Sequence, residues 1–333
     1  MSNIHGSSFR YPEVWRPADP AEAWQWKRRF GAEAAFAAGA TWLRTQWEAG
    51  SLPMPSYLID LSAVKELTGI KVKHNRLTIG ALTSLAQVRS SAEVLANAPA
   101  LTAAAAAIAA HSIRQLATIG GNIVTRVGDS LPALIAHEAE LVWQDDEGER
   151  AMDAESWLER CRSGTAGPSL LKEIRLPLVE AASGLAVGTA VEAAADVGFG
   201  SGSRSEAALD SGGSAERTFS YYHKVGRREA FTPSLATAAM NGTLTEDGVI
   251  AQIRIAAGGG SMLAQRLALA EKAVIGAKPG REAAEAMFAA VAAEYAPAPD
   301  PFASKEYRIR TVANLLAAEA WKLGRKAPPS EGG

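Results

Sequence analysis

The sequence predicts an α+β protein of two domains, the first the larger, and three observations carry that expectation. The chain has 333 residues, about twice the usual length of one domain. Strand-like and helix-like patterns are mixed along both halves. Between the halves the composition breaks: residues 181–216 are mostly alanine, glycine and serine with almost no large apolar side chains. Such a stretch cannot bury enough surface to offset its ordering entropy, so it reads as a flexible linker or an inserted loop. The expected domains are therefore 1–180 and 217–327, followed by a loose tail rich in proline and glycine.

Asp19-Pro20 marks a capped helix start, because the carboxylate accepts from the first turn and proline at the first helical position needs no N–H acceptor. That helix should end near Gly31. Glu33 to Ala38 reads as a strand running into a tight turn at Gly39, and Tyr57 to Leu61 as another. Ile70, Val72, Leu77 and Ile79 alternate with polar neighbours about His74-Asn75, which predicts a hairpin. Thr83 or Ser84 can cap a helix through Leu95. Pro99 to His111 is alanine-rich and should be a closely packed buried helix leading straight into a glycine loop. A further apolar element spans Leu131 to Val142, and a strand Leu170 to Leu178. In the second half, Thr218 to Leu244 and Gly248 to Gly258 read as strands and a helix. Met262 to Ile275, Arg281 to Glu294 and Tyr307 to Leu323 have helical spacing.

Composition excludes several classes. Thirty-four basic and thirty-six acidic side chains give a net charge of -2, so nothing calls for nucleic acid or an acidic membrane surface. The longest apolar run, Ala103 to Ala110, has eight residues against the roughly 20 of a membrane-spanning helix. Met1 to Tyr11 lack the charged-then-apolar order of a secretory signal, so a cytoplasmic location is expected. The single cysteine, Cys161, agrees, and it excludes an internal disulfide and an all-cysteine cluster site built by this chain alone.

Walker loops, nucleophile elbows and paired-histidine zinc motifs are missing from the sequence. His5, His74, His111, His137 and His223 stand apart and read as solvated or structural. Gly198, Gly200 and Gly202 lie in the low-complexity stretch without a preceding strand or following helix, and are not a dinucleotide fingerprint. Two glycine sites are better placed. In Phe36-Ala37-Ala38-Gly39-Ala40-Thr41-Trp42-Leu43 a strand turns sharply and sends backbone N–H groups outward before a helix, an anion nest suited to a diphosphate. In Ala117-Thr118-Ile119-Gly120-Gly121-Asn122 two adjacent glycines allow a ligand close to the backbone, bracketed by a hydroxyl and an amide. The tryptophans 15, 24, 26, 42 and 47 read as core or interface anchors.

The second loop, preceded by Ile113-Arg114 and followed by Asp129 and the apolar Leu131 to Ala136, resembles the second FAD loop of the flavin subunit of molybdenum hydroxylases. The first is similar to that family's Ala-Gly-Gly-Thr-Asp loop, with Ala40 at the second glycine and Trp42 at the aspartate. Tyr222-His223-Lys224-Val225-Gly226-Arg227-Arg228 and Ser304 to Arg310 are similar to its carboxy-terminal signatures. The resemblance implies a two-lobed PCMH-type FAD-binding domain followed by a smaller α+β domain. It implies backbone N–H groups of Ala38 to Thr41 and Ile119 to Asn122 on the FAD diphosphate, beside Ala37. Hydroxyl donors would come from Thr41 and Thr118, Asp129 would accept from the ribityl chain, and Lys224 would be a cation near the flavin ring. Arg227 and Arg228 would be structural or partner-facing. It further implies a [2Fe-2S] small subunit and a molybdopterin-binding large subunit as partners, with NAD or another acceptor downstream, most commonly as xanthine dehydrogenase. Two other readings on the same fold stay open: a stand-alone FAD-dependent oxidase or reductase, and an assembly subunit that binds FAD poorly.

Overall fold

The computed structural model describes residues 11–178, 217–227 and 234–325. The expected linker 181–216, with Gly198, Gly200 and Gly202, and Arg228 lie outside these residues.

The first lobe is small. Strands β1 (Glu13–Trp15), β2 (Ala34–Ala37) and β3 (Tyr57–Asp60) form a parallel sheet of order β1-β3-β2, accompanied by helices α1 (Pro20–Phe30) and α2 (Thr41–Glu48). Asp19 caps α1 as expected, accepting from the Glu22 N–H at 2.8 Å. Trp15 meets Trp26 edge-on at 4.8 Å between ring centroids, and Phe30 stacks on Tyr57 at 4.0 Å, so three of these rings come from the strands and helix that the sequence pattern defined. Helix α2 is different, since none of its side chains is fully buried.

The second lobe is an antiparallel five-stranded sheet, β4 (Ile70–Lys73), β5 (Arg76–Gly80), β8 (Leu170–Pro177), β6 (Glu140–Asp145) and β7 (Gly148–Asp153) in spatial order. His74 and Asn75 have φ 49° and 58°, the two positive values a two-residue hairpin needs to match strand twist. Around the sheet lie α3 (Leu85–Ser90), α4 (Ala92–Asn97), α5 (Pro99–Ala107), α6 (His111–Leu116), α7 (Ile119–Val124), α8 (Leu131–Ala136) and α9 (Ala154–Arg162). Ser84 caps α3 in a reciprocal box with Gln87. The expected single helix through Leu95 is two, because Ser91 is extended and caps α4 through the Val94 N–H. The alanine-rich helix likewise ends at Ala107: Ala109 is left-handed at φ 51°, and one Arg114 nitrogen donates to the carbonyls of Ala106, Ile108 and Ala109. These carbonyls, in the last turn and just past the end of the helix, have no intrahelical N–H to accept from. Helix α6 therefore stands between α5 and the glycine loop.

The carboxy-terminal sheet is β9 (Arg217–Gly226), β10 (Ser234–Leu244), β11 (Ile250–Gly259) and β12 (Met262–Arg266), antiparallel and ordered β12-β11-β10-β9. Helices α10 (Ala268–Val274), α11 (Arg281–Glu294) and α12 (Lys305–Arg325) cover one face, and α5 and α8 of the second lobe cover the other. Among the described residues of 218–258 there is no helix, contrary to expectation. A central strand covered on both faces carries a fully buried run rich in alanine, Ala236 to Met240 with Thr237 within it, which has no period-2 signature and by the propensity of alanine favours helix. The helix expected from Met262 starts only at Ala268, because Met262 to Arg266 pair with β11. Among the described residues no helix is long and apolar enough to cross a membrane.

Candidate functional site

Four segments far apart in sequence meet at the junction of the lobes and the carboxy-terminal sheet. At Gly39, a Cβ would overlap the Leu116 carbonyl, so only glycine allows the first loop to lie against the segment entering the second. Ala40 follows in the left-handed region at φ 52° and stands at the N-cap of α2 with no side-chain hydrogen bond to the helix. The first intrahelical bond runs from the Arg44 N–H to the Ala40 carbonyl at 2.9 Å. Helix geometry therefore leaves the N–H groups of Ala40, Thr41, Trp42 and Leu43 without intrahelical acceptors, at the positive end of the helix dipole. These N–H groups lie in the loop where the sequence predicts an anion nest. Ala37 lies at the buried end of β2, paired with Asp60, just before this loop.

The second loop is built differently. Thr118 caps α7, its Oγ1 accepting from the Gly121 N–H at 3.0 Å. The Ile119 N–H donates to the Thr83 carbonyl at 2.9 Å, Gly120 to Ala81 at 2.8 Å and Asn122 to Thr118 at 3.0 Å. The expectation that residues 119 to 122 present free N–H groups is therefore corrected: each already has an acceptor inside the protein. Ile119 and Gly120 are buried, and a Cβ on Gly120 would sit 2.6 Å from the Ala81 carbonyl. Gly121 is partly exposed, and a Cβ there would meet only the Thr118 hydroxyl, at 2.9 Å. The loop thus offers a ligand the bare Gly121 backbone, the Thr118 hydroxyl proton and the Asn122 amide. Asn122 Oδ1 is engaged by Ser130, accepting from its N–H at 3.2 Å and its hydroxyl at 2.6 Å, which ties α7 to the start of α8 beside Asp129.

Asp129 and Lys224 come together as an ion pair, Nζ to Oδ2 2.8 Å, with side chains 10% and 13% exposed for the lysine and aspartate. The carboxylate therefore offsets the lysine charge locally. Tyr222 donates to the Asp129 main-chain carbonyl at 2.9 Å, and the Ser234 hydroxyl donates to Oδ1 at 2.5 Å. Burial, helped by the Asp129 charge, pushes the Tyr222 phenol well above its ordinary range, so it stays protonated and can donate. Sequence reasoning assigned no role to Ser234 or Tyr222. A serine six residues past the nearest motif carries no signal, and only strand pairing brings it to Asp129. Arg227 lies 4.4 Å over the Phe302 ring, a packing contact.

The donor set fits a dinucleotide. Uncapped N–H groups and a helix N-terminus suit a diphosphate, the side-chain-free surface at Gly121 allows close approach, and carboxylate, hydroxyl and amide groups suit a polyol chain. Comparison with known proteins agrees. The family model "FAD binding domain in molybdopterin dehydrogenase" matches residues 7–179, and "CO dehydrogenase flavoprotein C-terminal domain" matches residues 220–321. The chain belongs to this family of FAD-binding subunits of molybdenum hydroxylases, and its cofactor is FAD.

Among curated relatives, the carbon monoxide dehydrogenase medium chain of Hydrogenophaga pseudoflava is 32% identical over 177 residues, covering 52% of this chain and 61% of that one. The nicotinate dehydrogenase FAD-subunit of Eubacterium barkeri is 33% identical over 112 residues, covering 33% and 36%. The chain thus spans less than two thirds of the length of these relatives. Among solved structures, carbon monoxide dehydrogenase from Hydrogenophaga pseudoflava matches with a TM-score of 0.75 at 25% identity, over 94% of this chain and 98% of that one. Quinoline 2-oxidoreductase from Pseudomonas putida 86, at 18% identity and a TM-score of 0.72, shares the fold.

Proposed function

We propose that this chain is the electron-transfer subunit of a cytoplasmic molybdenum hydroxylase, with 1–180 as flavin domain, 181–216 as linker or insert and 217–327 as carboxy-terminal domain. A small subunit with [2Fe-2S] clusters would supply electrons, a molybdopterin-binding large subunit would hydroxylate the substrate, and NAD or another acceptor would receive the electron pair. The xanthine dehydrogenase type is the finer form of this proposal. FAD, when bound, supplies the exchange between one-electron and two-electron transfer. The chain's own residues bind and orient it: Ala38 to Leu43 hold the diphosphate through backbone N–H groups, Thr118 and Asn122 add side-chain donors, and the Asp129–Lys224 pair borders the ribityl and ring region.

The convergence of residues 38–43, 118–122, 129 and 224 on one junction carries this reading. Its test is the visible spectrum and FAD dissociation constant of the full chain against Gly121→Val, whose Cβ would meet only the Thr118 hydroxyl within the protein, at 2.9 Å. Gly120 is the wrong residue to change, since valine there would strike Ala81 and damage the core. The expected result is a yellow parent without substrate turnover and a folded, colourless variant. A variant as yellow as its parent overturns the site. Turnover by the chain alone points to the oxidase reading, and a colourless parent to the assembly subunit. Co-purification with the cluster and molybdopterin proteins tests the partners, and purine, nicotinate and carbon monoxide oxidation by that complex tests the substrate class.

A further inference from the structure

We propose that Ser234 is a positioning residue of the flavin site, fixing the Asp129 carboxylate in the orientation that pairs it with Lys224. The inference rests on the reading of Asp129 and Lys224 as cofactor-facing groups. An ionised carboxylate only accepts hydrogen bonds, and its two oxygens are equivalent until neighbours distinguish them. Here Oδ1 takes the Ser234 hydroxyl at 2.5 Å and Oδ2 faces the Lys224 ammonium at 2.8 Å. Without the serine, the carboxylate would be held by a lysine alone, a point charge on a flexible stem that does not specify the carboxylate plane.

Ser234 is itself immobilised. It is 3% exposed, its carbonyl accepts from the Gly260 N–H at 2.7 Å, and the next carbonyl, of Leu235, accepts from the Arg308 guanidinium. Arg308 is completely buried and paired with Asp300 at 2.5 Å. Room for its guanidinium exists because Gly260, at φ 67°, has no side chain: a Cβ there would overlap the Nη1 atom. A buried arginine of the last helix, paired with Asp300 ahead of that helix, thus fixes the strand end that carries the serine, and the serine fixes a carboxylate belonging to the flavin domain. Joining the domains does not require this bond, because Tyr222 already ties the Asp129 main chain to β9. Its distinct effect falls on the carboxylate.

The experiment measures FAD dissociation constants by flavin fluorescence, and melting temperatures without FAD, for full-length S234A, S234C, D129N, S234A/D129N and Y222F. Loss of a hydrogen bond to a charged group should weaken FAD binding about tenfold in S234A. S234C, with a weaker donor of similar size, should fall between S234A and the parent, and it serves also if S234A does not fold. Y222F, which frees only the Asp129 main chain, should lower the melting temperature as much as S234A yet weaken FAD binding less, a split that a merely structural serine would not produce. In the D129N background S234A should add nothing. Parent-like affinity in S234A beside weakened D129N, or equal weakening by S234A in both backgrounds, overturns the positioning role. Parent-like affinity in D129N overturns the reading of Asp129 itself, and the role of Ser234 with it.

Discussion

The two glycine loops look like variations on one device, yet they are opposite in hydrogen bonding. The loop at 118–122 has the more specific motif, and its backbone is closed: Thr83, Ala81 and Thr118 take all four N–H groups. The loop at 38–41 has the weaker motif, with alanine where the family has glycine, and its backbone is open, because Ala40 has no side-chain oxygen to cap α2. A motif can therefore be specific because it builds a tight turn rather than because it touches a ligand. Here Gly120 serves packing, Gly121 leaves its backbone bare, and the N–H groups without intrahelical acceptors belong to the other loop.

The largest effect should follow from breaking the contact between the loops. Gly39→Ala forces a methyl into the Leu116 carbonyl, and overpacking of this kind costs about 1–3 kcal/mol. If that cost falls on the assembled site, FAD affinity drops by about a hundredfold, as equilibrium dialysis would measure, while Gly121→Ala, which meets only a hydroxyl, loses about tenfold. Equal losses in the two variants would erase the distinction between an open and a closed loop.

Acid should separate the loops next. The closed loop leads through Asn122 and Ser130 into α8, which ends at His137, buried with its Nε2 3.3 Å from the Ser220 hydroxyl. Burial lowers the His137 pKa from 6.5 to about 4, outweighing the favourable end of the helix dipole. Between these values the unfolded chain binds the extra proton, so stability from this group is complete above about pH 6.5 and is lost as pH falls toward 4. Roughly 2 kcal/mol should go between pH 7 and 5, seen as a falling melting temperature that His137→Gln flattens. The open loop has no such group attached, so hydrogen exchange should rise in α7 and α8 before α2.

Much of this was legible in the sequence where local chemistry decides. Asp19-Pro20, His74-Asn75, Ser84 and the span Arg281 to Glu294 are each specified by their own neighbours, and each stands where the pattern puts it. Failures cluster where a distant surface decides. Ala236 to Met240 form a strand because α8 lies on one face and α12 on the other, and Ala109 turns because Arg114 collects the carbonyls around it. The candidate site divides in the same way. Gly39, Thr118, Asp129 and Lys224 were marked by motif, but the pairing of the last two, the closure of the second loop and the part played by Ser234 exist only once the carboxy-terminal sheet docks.

Removing the cap of the closed loop should have a smaller effect. Thr118→Val keeps the shape but leaves the Gly121 N–H without its acceptor at 3.0 Å, costing about 1 kcal/mol of stability and a melting shift of a few degrees. FAD affinity should fall less than in Gly39→Ala, because the diphosphate donors of the open loop are untouched. The smallest change has the opposite sign. Ala40 holds φ 52° with a Cβ, a conformation that costs a non-glycine residue about 1–2 kcal/mol. Glycine would remove that strain and give back part of the gain through its freer unfolded chain, so Ala40→Gly should stabilise the apoprotein by roughly 0.5–1 kcal/mol. Affinity should rise by less than about threefold, since the four N–H groups already point outward with alanine in place. A larger rise would mean that the left-handed turn forms only around FAD, and the open loop would then be a product of binding rather than its preformed cause.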